Sequence, residues 1–434
     1  MSPPQTMPQW LSVALSSEQH LNTVLRVLTN RESKRDSART ASQLKALDNK
    51  SQPEETRFPL AFLSRRSKDA LPQLVNHYAV AAGAHEAHHH FNRYVDIIPY
   101  DRTRVGVHEG SLGQGTERDG IWEGRYLNAS WVLERFGHKW WIATQAPLKH
   151  TAHAFLSAIL QPVVRPPVEG PTSQLVISSP ISRVRTVVQL TQNMEGGRKK
   201  ADAYFPTEVG HSVVVSPEPG HGGPPLKATL LETKTIRESH CIQSTVSIIP
   251  IHRTGESVLI INWTKAKLNE NRNEDHKGEN DDEIVVFQHM LYTSWPDHGV
   301  PEPEDRESLL SFIRLVDNTN RNISSFSGGK STAGGLDPDP PIMVGCSAGV
   351  GRTGTFIAIS SLLRYCGFLP PAARPTPASV IHASPLGPLP DELQEDEIAQ
   401  EIDSLREQRP SMVQRKEQIF LIYELLADAF SENK

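Results

Sequence analysis

The sequence predicts an α/β domain with a mixed sheet, and two patterns along the chain carry that prediction. Between about residues 90 and 300, short apolar runs rich in β-branched side chains alternate with turn-rich segments, which is typical of strands. Toward both ends of the chain, apolar residues recur at helical spacing. Strands in the middle with helices on either side indicate a mixed sheet covered by helices.

The elements can be assigned in chain order. Residues 1–57 are predicted to form a flexible arm, because a weakly amphipathic stretch gives way to a polar, charged run. Helices are expected from about residue 58 to Gly83. The candidate strands are short and apolar: 139–143, 175–178, 186–190, 227–235, 242–251, 257–261, 283–291 and 342–344. The later candidate helices repeat apolar residues three and four positions apart: 153–160, 305–317, 353–365, 391–406 and 414–430.

Five stretches are interpreted as surface insertions, because each is too polar or too interrupted by Gly and Pro to bury itself. They are residues 106–121, 209–226, 264–283, 319–341 and 367–390. We therefore predict one large domain over residues 58–432 that carries these insertions, rather than two domains.

The composition excludes several classes of protein. The 434 residues include 45 Lys plus Arg and 50 Asp plus Glu, a formal net charge of −5, which argues against a strongly basic nucleic-acid-binding protein. The three cysteines are too few for a disulfide framework, and no pair has metal-ligand spacing. The sequence has no recognisable signal peptide and no stretch approaching the ~18 apolar residues of a membrane span. We expect a soluble intracellular protein without a bound metal.

The most informative segment is 341–364, where an apolar strand runs into a loop of small residues and then into a helix. The residues between Cys346 and Arg352 are Ser347, Ala348, Gly349, Val350 and Gly351. Small residues let such a loop curl until several backbone N–H groups point to one place, and the helix N-terminus adds its positive dipole end there. This geometry suits a phosphoryl group.

Three side chains give the segment its chemistry. Cys346 would lie at the base of the loop, where convergent N–H groups and Arg352 favour the nucleophilic thiolate. The guanidinium of Arg352 can bind two phosphoryl oxygens at once. Thr353 can donate a hydrogen bond to the sulfur and help it to leave. A buried cysteine in a tight turn is the structural alternative; a nucleotide-binding P-loop is excluded because no Gly-Lys-Ser/Thr follows.

The Cys-x5-Arg segment resembles the signature of the protein tyrosine phosphatase family, and the likeness extends over roughly residues 60–430. Further motifs occur in the family's order: NRYVDIIPYD at 92–101, YLNAS at 126–130, WIATQAP at 141–147, YTSWPDHGVP at 292–301 and VQRKEQIFLIY at 413–423. The resemblance implies a single, highly twisted mixed sheet flanked by helices, with long loop insertions. It also implies a tyrosine-specific, non-receptor enzyme that hydrolyses phosphotyrosine in proteins through a cysteinyl phosphate, without any cofactor.

The same resemblance assigns roles to the remaining site residues. Asp297 is the general acid, on a loop that Trp295 stiffens. Tyr94 packs against the phenyl ring of the substrate and makes the pocket deep, and Asp96 holds the substrate backbone.

Four more residues support the reaction by the same resemblance. Gln414 and Gln418 position the water that hydrolyses the phosphocysteine. Glu195 is expected to pair with Arg352, and Lys200 with the loop that carries Asp297.

The predicted partners are phosphotyrosine-containing proteins, signalling kinases among them, for a monomer in the cytoplasm and also in the nucleus. One departure from the family pattern is Gly345, which stands where the family usually has histidine. Two alternatives stay open, the first favoured by Gly345 and the second sharing the Cys-x5-Arg motif. One is a phosphotyrosine-binding module without turnover, and the other is a dual-specificity or phosphoinositide phosphatase with a shallower pocket.

Overall fold

A nine-stranded sheet forms the centre of the fold. The computed structural model describes residues 6–48, 70–107, 124–163, 182–251, 284–297, 299–323, 337–381 and 383–431. The strands of the large sheet are β1 (Arg104–Val107), β2 (Arg125–Leu133), β3 (Trp140–Gln145), β4 (Thr186–Gln189), β7 (Ser212–Val215), β8 (Leu226–Ile236), β9 (Cys241–Pro250), β10 (Val285–Tyr292) and β11 (Ile342–Cys346). A separate hairpin consists of β5 (Met194–Glu195) and β6 (Arg198–Lys199).

The sheet is mixed, and its parallel part lies in the middle. The strand order is β1-β2-β3-β11-β4-β10-β9-β8-β7. Strands β3, β11, β4 and β10 run parallel, whereas the pairs on both sides of them are antiparallel. The carboxyl ends of the four parallel strands consequently meet at one edge, where ligands bind in open α/β sheets.

Helices cover both faces of the sheet, so the predicted fold class is confirmed. The helices are α1 (Gln9–Ser16), α2 (Glu18–Asp48), α3 (Ala70–His77), α4 (Ala81–Ala84), α5 (Ala152–Leu160), α6 (Arg306–Arg321), α7 (Gly351–Tyr365), α8 (Glu397–Gln408) and α9 (Lys416–Ser431). One face packs against α6 to α9 together with α1 and α2, and the opposite face packs against α5.

The central strands alternate between the two cores. On β11, Ile342 and Val344 face the core of α6 to α9, and Met343 faces the core of α5. On β3, Trp141 and Ile142 alternate in the same way. Because both faces are buried, these strands are continuous apolar runs without polar alternation, which explains why the sequence predicts them.

The predicted strands at 139–143, 186–190, 227–235, 242–251, 283–291 and 342–344 coincide with β3, β4, β8, β9, β10 and β11 to within a few residues. The structure adds β1, β2 and the edge strand β7, which the sequence analysis did not assign. Strand β2 is fully buried although it carries Asn128 and Ser130, and such polar positions hide a strand from a hydrophobicity pattern. The candidate strands 175–178 and 257–261 lie outside the described residues.

The predicted flexible arm over residues 1–57 is wrong for residues 9–48, which form α1 and α2. Leu11 and Leu28 are fully buried in the core shared with α7 and α9. The charged run of α2 is paired rather than solvated, because Arg31 forms an ion pair with Asp403 of α8 at 2.8 Å. Arg35, whose side chain is fully buried, reaches both Asp403 and Glu407 at 2.6 Å. Residues 49–57 lie outside the described residues.

Two of the predicted insertions are described, and both contact the domain. Residues 209–226 contain β7, and residues 367–390 bury Leu369 and Leu389 in the main core. Arg31 of α2 also donates to the carbonyl oxygen of Gly387 at 2.7 Å. Residues 108–121, the expected insertion at 264–283 and residues 324–336 lie outside the described residues. Gly106 and Val107, the first two residues of the expected insertion at 106–121, belong to β1 instead, and residues 319–321 end α6.

Glu401 of α8 is a fully buried carboxyl group beside the turn between β2 and β3. It accepts hydrogen bonds from the backbone N–H groups of Arg135 at 3.2 Å and Phe136 at 3.3 Å, and from the Ser361 hydroxyl at 2.8 Å. Burial, reinforced by the nearby charge of Glu134, raises the pKa of Glu401 to about 8. The folded protein therefore holds a proton there that the unfolded chain releases above a pKa of about 4.3.

We predict that Glu401 makes the protein less stable as the pH rises. The folded state binds more protons than the unfolded state between the two pKa values, so the free energy of unfolding falls by up to about 1.4 kcal/mol per pH unit in that interval. The Glu401→Gln variant, which mimics the protonated carboxyl group, should lose this slope in urea unfolding measured from about pH 5 to pH 8. As a control, Glu392→Gln changes a side chain that is 59% exposed. Equal slopes for Glu401→Gln and the parent protein would contradict the prediction.

Candidate active site

Loops from three adjacent parallel strands are joined at the edge where β3, β11 and β4 end. The N–H group of Ala146, after β3, donates to the carbonyl oxygens of Cys346 at 2.9 Å and Ser347 at 3.1 Å. The N–H group of Leu190, after β4, donates to the carbonyl oxygen of Gly345 at 2.8 Å. These bonds fix the surroundings of Cys346 to the rigid centre of the sheet.

The Cys346 loop (residues 346–350) leads from β11 directly into α7. Cys346 is 6% exposed. Gly349 has a φ of +72°, and a β-carbon at this position would collide with the carbonyl oxygen of Thr144 on β3. The glycine therefore lets the loop lie against β3 and curl in front of α7, whose first N–H groups have no partners within the helix. Such a loop with a helix N-terminus behind it binds anions.

Arg352, in the first turn of α7, holds two neighbouring loops together. Its Nη1 and Nη2 atoms donate to both carboxylate oxygens of Glu195, at 2.7 and 2.9 Å. Nη1 also donates to the carbonyl oxygen of Leu190 at 2.9 Å, and Nη2 to that of Pro296 at 2.7 Å. The expected pair of Glu195 with Arg352 is thus present, and the guanidinium is 90% buried.

The loop that carries Asp297 connects β10 to α6 and lies over Arg352. A carboxylate oxygen of Asp297 is 2.6 Å from the Lys200 ammonium group, the pairing expected from the sequence, and 3.9 Å from Arg352 Nη2. Trp295 is buried, and its indole N–H donates to the carbonyl oxygen of Gly299 at 3.3 Å. The acidic side chain is therefore placed beside Arg352, which follows the Cys346 loop in the first turn of α7.

Tyr94 forms one wall of the site. Its hydroxyl group is 2.8 Å from the Ser347 hydroxyl, which in turn donates to the carbonyl oxygen of Lys200 at 2.8 Å. Tyr94 is 36% exposed, and Asp96 is exposed on the same loop. Of the residues predicted for substrate binding, Tyr94 and Asp96 are thus exposed at the surface, whereas Val350 and Gln418 are buried.

A buried polar network holds the Tyr94 loop in place. The side-chain oxygen of Asn92 accepts from the Tyr126 hydroxyl at 2.6 Å and from the Asn128 amide at 2.8 Å, both on β2. The Arg93 N–H donates to the side-chain oxygen of Gln145 at 2.8 Å. These contacts explain why polar residues occur inside two buried strands.

The remaining predicted residues, Gln418, Gln414 and Thr353, differ in burial and in their contacts. Gln418, in the first turn of α9, is buried, and its side-chain nitrogen would be 2.9 Å from a β-carbon on Gly351. Gln414 is exposed and lies before α9 begins, so the two glutamines differ in burial. The hydroxyl group of Thr353 is buried without a hydrogen-bond partner among the described residues, so the expected bond to the sulfur of Cys346 is not formed.

Arg409 is a part of the site that the sequence analysis missed. It is fully buried beneath the Cys346 loop, and it donates to the carbonyl oxygens of Gly349 at 2.7 Å and Ala348 at 3.1 Å. Burial lowers the pKa of Arg409 to about 10, so it stays cationic at neutral pH. By binding the carbonyl oxygens from below, Arg409 leaves the N–H groups of the loop free to turn the other way. No local sequence pattern marks this residue.

Gly345, the departure noted in the sequence, is in close contact with β3. A β-carbon at this position would be 2.7 Å from the carbonyl oxygen of Thr144 and 3.2 Å from its methyl group. A larger side chain therefore requires β3 to move, and the glycine fits the observed spacing of the two strands.

The family model described as "protein-tyrosine phosphatase" matches residues 88–165 and 228–367, together half of the chain. The chain is 29% identical over 280 residues to receptor-type tyrosine-protein phosphatase zeta of Rattus norvegicus, a match that covers 64% of this chain and 9% of that protein. It is 25% identical over 343 residues to human tyrosine-protein phosphatase non-receptor type 9, covering 79% of this chain and 42% of that protein. The chain thus spans less than half the length of these relatives.

A similar solved structure is the catalytic domain of human protein tyrosine phosphatase non-receptor type 18. It has a TM-score of 0.49 and 21% sequence identity, with 81% of this chain and 88% of that chain covered.

The described ranges contain neither a membrane-spanning helix nor a cluster of metal ligands. None of the helices there is both long and apolar enough to cross a membrane. No three His, Cys, Asp or Glu side chains in those ranges are grouped so that they could hold a metal ion.

We predict that iodoacetate modifies Cys346 selectively in the folded protein at neutral to mildly alkaline pH. The thiolate is the reactive form of a cysteine, and Cys346 lies on a loop in front of a helix N-terminus, an arrangement that binds anions. Burial raises the pKa of both Cys241 and Cys366 to about 12, so these two remain thiols. Peptide mapping by mass spectrometry should find the label on residue 346 alone, with unfolded protein as the control in which all three react. Equal labelling of Cys366 in the folded protein would contradict the prediction.

Proposed function

The chain belongs to the protein-tyrosine phosphatase family, and we propose that it hydrolyses phosphotyrosine in proteins through a cysteinyl-phosphate intermediate. The observation that carries the proposal is the convergence of Cys346, Arg352 and Asp297 at one edge of the sheet. Arg352 contacts Glu195 on one side and the carbonyl oxygen of Pro296, next to Asp297, on the other. A nucleophile, a cation for the phosphoryl oxygens and an acid for the leaving group are thereby supplied together.

In the first step, the sulfur of Cys346 attacks phosphorus in line while the bond from phosphorus to the tyrosine oxygen breaks. Arg352 and the N–H groups of the Cys346 loop stabilise the charge on the transferring group. The departing phenolate has a pKa of about 10, so a proton from Asp297 lowers the barrier. Because Lys200 stabilises the carboxylate of Asp297 at 2.6 Å, this pair has to loosen when Asp297 takes up its proton.

In the second step, water attacks phosphorus, its proton passes to Asp297, and the bond from sulfur to phosphorus breaks. Gln418 is the residue we assign to orient the water, because its buried amide lies against Gly351 at the end of the Cys346 loop. We give Gln414 only a supporting role in orienting this water, because its side chain is exposed and lies before α9 begins. Thr353 is assigned to the departing sulfur, since its buried hydroxyl has no other partner among the described residues.

The substrate class follows from the wall above the pocket. The family resemblance gives Tyr94 the role of setting the depth of the pocket for a phenyl ring, and its hydroxyl group 2.8 Å from that of Ser347 places it beside the Cys346 loop. Asp96, exposed on the same loop, is assigned to the substrate backbone. A phosphoserine or phosphothreonine side chain is too short to bring its phosphorus to Cys346. Signalling kinases as substrates, the monomeric state, and the cytoplasmic and nuclear locations stay predictions from the sequence.

Two alternative functions are tested by the experiments below. A phosphotyrosine-binding protein without turnover is favoured only by Gly345. One observation argues against that alternative. Gly345 fits against β3, and the contacts that Arg352 and Arg409 make around the Cys346 loop are still formed. A dual-specificity phosphatase would need a shallower pocket than the Tyr94 loop provides.

We predict that Cys346→Ser abolishes turnover and that Asp297→Ala lowers kcat for a phosphotyrosine peptide by about 10²- to 10⁴-fold, the usual contribution of a general acid. KM should change little, because the phosphate-binding groups remain. The measurements are phosphate release by each protein and capture of the phosphotyrosine peptide by Asp297→Ala. Asp391→Ala, which changes an exposed aspartate, is the control. Absence of turnover in the parent protein, together with tight peptide binding, would favour the non-catalytic alternative.

We predict that a phosphotyrosine peptide is turned over with a kcat/KM more than about tenfold above that of the same peptide with phosphothreonine. Tyr94→Leu should narrow this ratio, since it removes the wall that sets the depth of the pocket. Tyr365→Leu, which changes another exposed tyrosine on the end of α7, is the matched control. Equal rates for the two peptides in the parent protein would favour the dual-specificity alternative.

A further inference from the structure

The turn between β8 and β9 contains a histidine in an unusual backbone conformation. His240 has a φ of 41° and a ψ of 43°, the left-handed region that few residues other than Gly adopt, although His, Asn and Asp do so more often than the rest. Such conformations persist where surrounding contacts determine them, and they occur often at functional sites. The contacts of His240 therefore indicate what holds it there.

The backbone and the ring of His240 both bind the beginning of the loop that carries Asp297. The carbonyl oxygen of His240 accepts from the N–H group of Thr293 and from its hydroxyl group, both at 2.9 Å. The Nδ1 atom of the imidazole forms a hydrogen bond with the hydroxyl group of Ser294. Ser294 directly precedes Trp295, so these bonds act three residues from Asp297.

The same turn also binds the other end of that loop. The imidazole Nδ1 is 3.3 Å from a carboxylate oxygen of Asp305, the residue that precedes α6. The hydroxyl group of Ser239 lies 2.7 Å from that of Ser311, one turn into α6. One short turn therefore contacts both the exit of β10 and the beginning of α6, the two fixed points between which the Asp297 loop runs.

We propose that His240 is a positioning residue for Asp297, which it serves by fixing both ends of the loop. The inference rests on the proposed function, because it assigns a purpose to the placement of the general acid. His240 touches neither the Cys346 loop nor Arg352, so it acts only through the Asp297 loop. Its ring borders an open cavity of about 380 Å³, so removing the ring costs hydrogen bonds more than packing.

The proposal predicts a dependence on the leaving group. Phenyl phosphate releases a phenolate with a pKa of about 10 and needs the proton of Asp297, whereas p-nitrophenyl phosphate releases a much more acidic phenol and needs it less. A variant that misplaces Asp297 should slow the first substrate more than the second. A variant that damages the Cys346 loop or the fold should slow both equally.

The test uses two substitutions at His240 and one matched control. His240→Gly keeps the left-handed backbone and removes the ring, and it should lower kcat for phenyl phosphate by about tenfold with a smaller loss for p-nitrophenyl phosphate. His240→Asn also tolerates this conformation and places an amide atom near the former Nδ1, so it should restore most of the loss. His138→Gly changes another left-handed histidine, with a φ of 60°, in the turn between β2 and β3, and it should leave both rates unchanged.

Two further measurements make the result decisive. In the Asp297→Ala background, His240→Gly should have almost no additional effect, because the group that it positions is already absent. Hydrogen exchange of the peptide spanning Thr293 to Asp297 should accelerate in His240→Gly and return toward the parent rate in His240→Asn.

Equal slowing of both substrates, or additive losses with Asp297→Ala, would overturn the proposal. If the parent protein hydrolyses neither substrate, the proposed function fails, and the exchange measurement still decides the role of His240. Unchanged exchange in His240→Gly would then show that His240 does not hold this loop.

Discussion

The buried guanidinium of Arg352 is the group on which the rest of the site depends. Its four hydrogen bonds reach the Glu195 carboxylate, the carbonyl oxygen of Leu190 and that of Pro296, on loops that follow β4 and β10. A bidentate pair of this kind fixes direction as well as distance. Removing Glu195 would leave an uncompensated buried cation, which costs about 3–5 kcal/mol in comparable pairs. The loops are therefore kept together by the same cation that is proposed to bind the phosphoryl group.

That arrangement requires the loops that follow the four parallel strands to lie at the same edge of the sheet. Strands β3, β11, β4 and β10 are neighbours and run parallel, so the segments after Gln145, Cys346, Gln189 and Tyr292 all begin at the same side. From below, Arg409 binds the carbonyl oxygens of the Cys346 loop. Arg409 thus fixes the backbone of the Cys346 loop, and Arg352 fixes the neighbouring loops that surround it.

The sequence predicts the parts of this site that depend on local order. The spacing of Cys346 and Arg352 on one strand–loop–helix segment, and the β-branched runs of the parallel strands, can be recognised without knowledge of distant residues. Arg409 and Arg35 could not be recognised, because the partners that make them structural lie far away in the chain: Arg409 pairs with groups 60 and 281 residues away, and Arg35 with Glu407. From the sequence alone, these arginines cannot be distinguished from solvated ones. For this reason the sequence predicts a mobile arm where the structure has α2.

The position of α2 also extends the unit that supports the chemistry toward the N-terminus. Arg406 of α8 donates to the carbonyl oxygens of Leu28 on α2 at 3.0 Å and of Val413 at 2.7 Å. The N–H group of Val413 in turn donates to the carbonyl oxygen of Val350, the last residue of the Cys346 loop, at 3.3 Å. The side chain of Arg406 and the backbone of Val413 therefore connect α2 to the Cys346 loop. Because Leu28 is also buried in the core that contains Cys346, residues 9–48 belong to the same packed body as the site, and a boundary at residue 58 would cut through it.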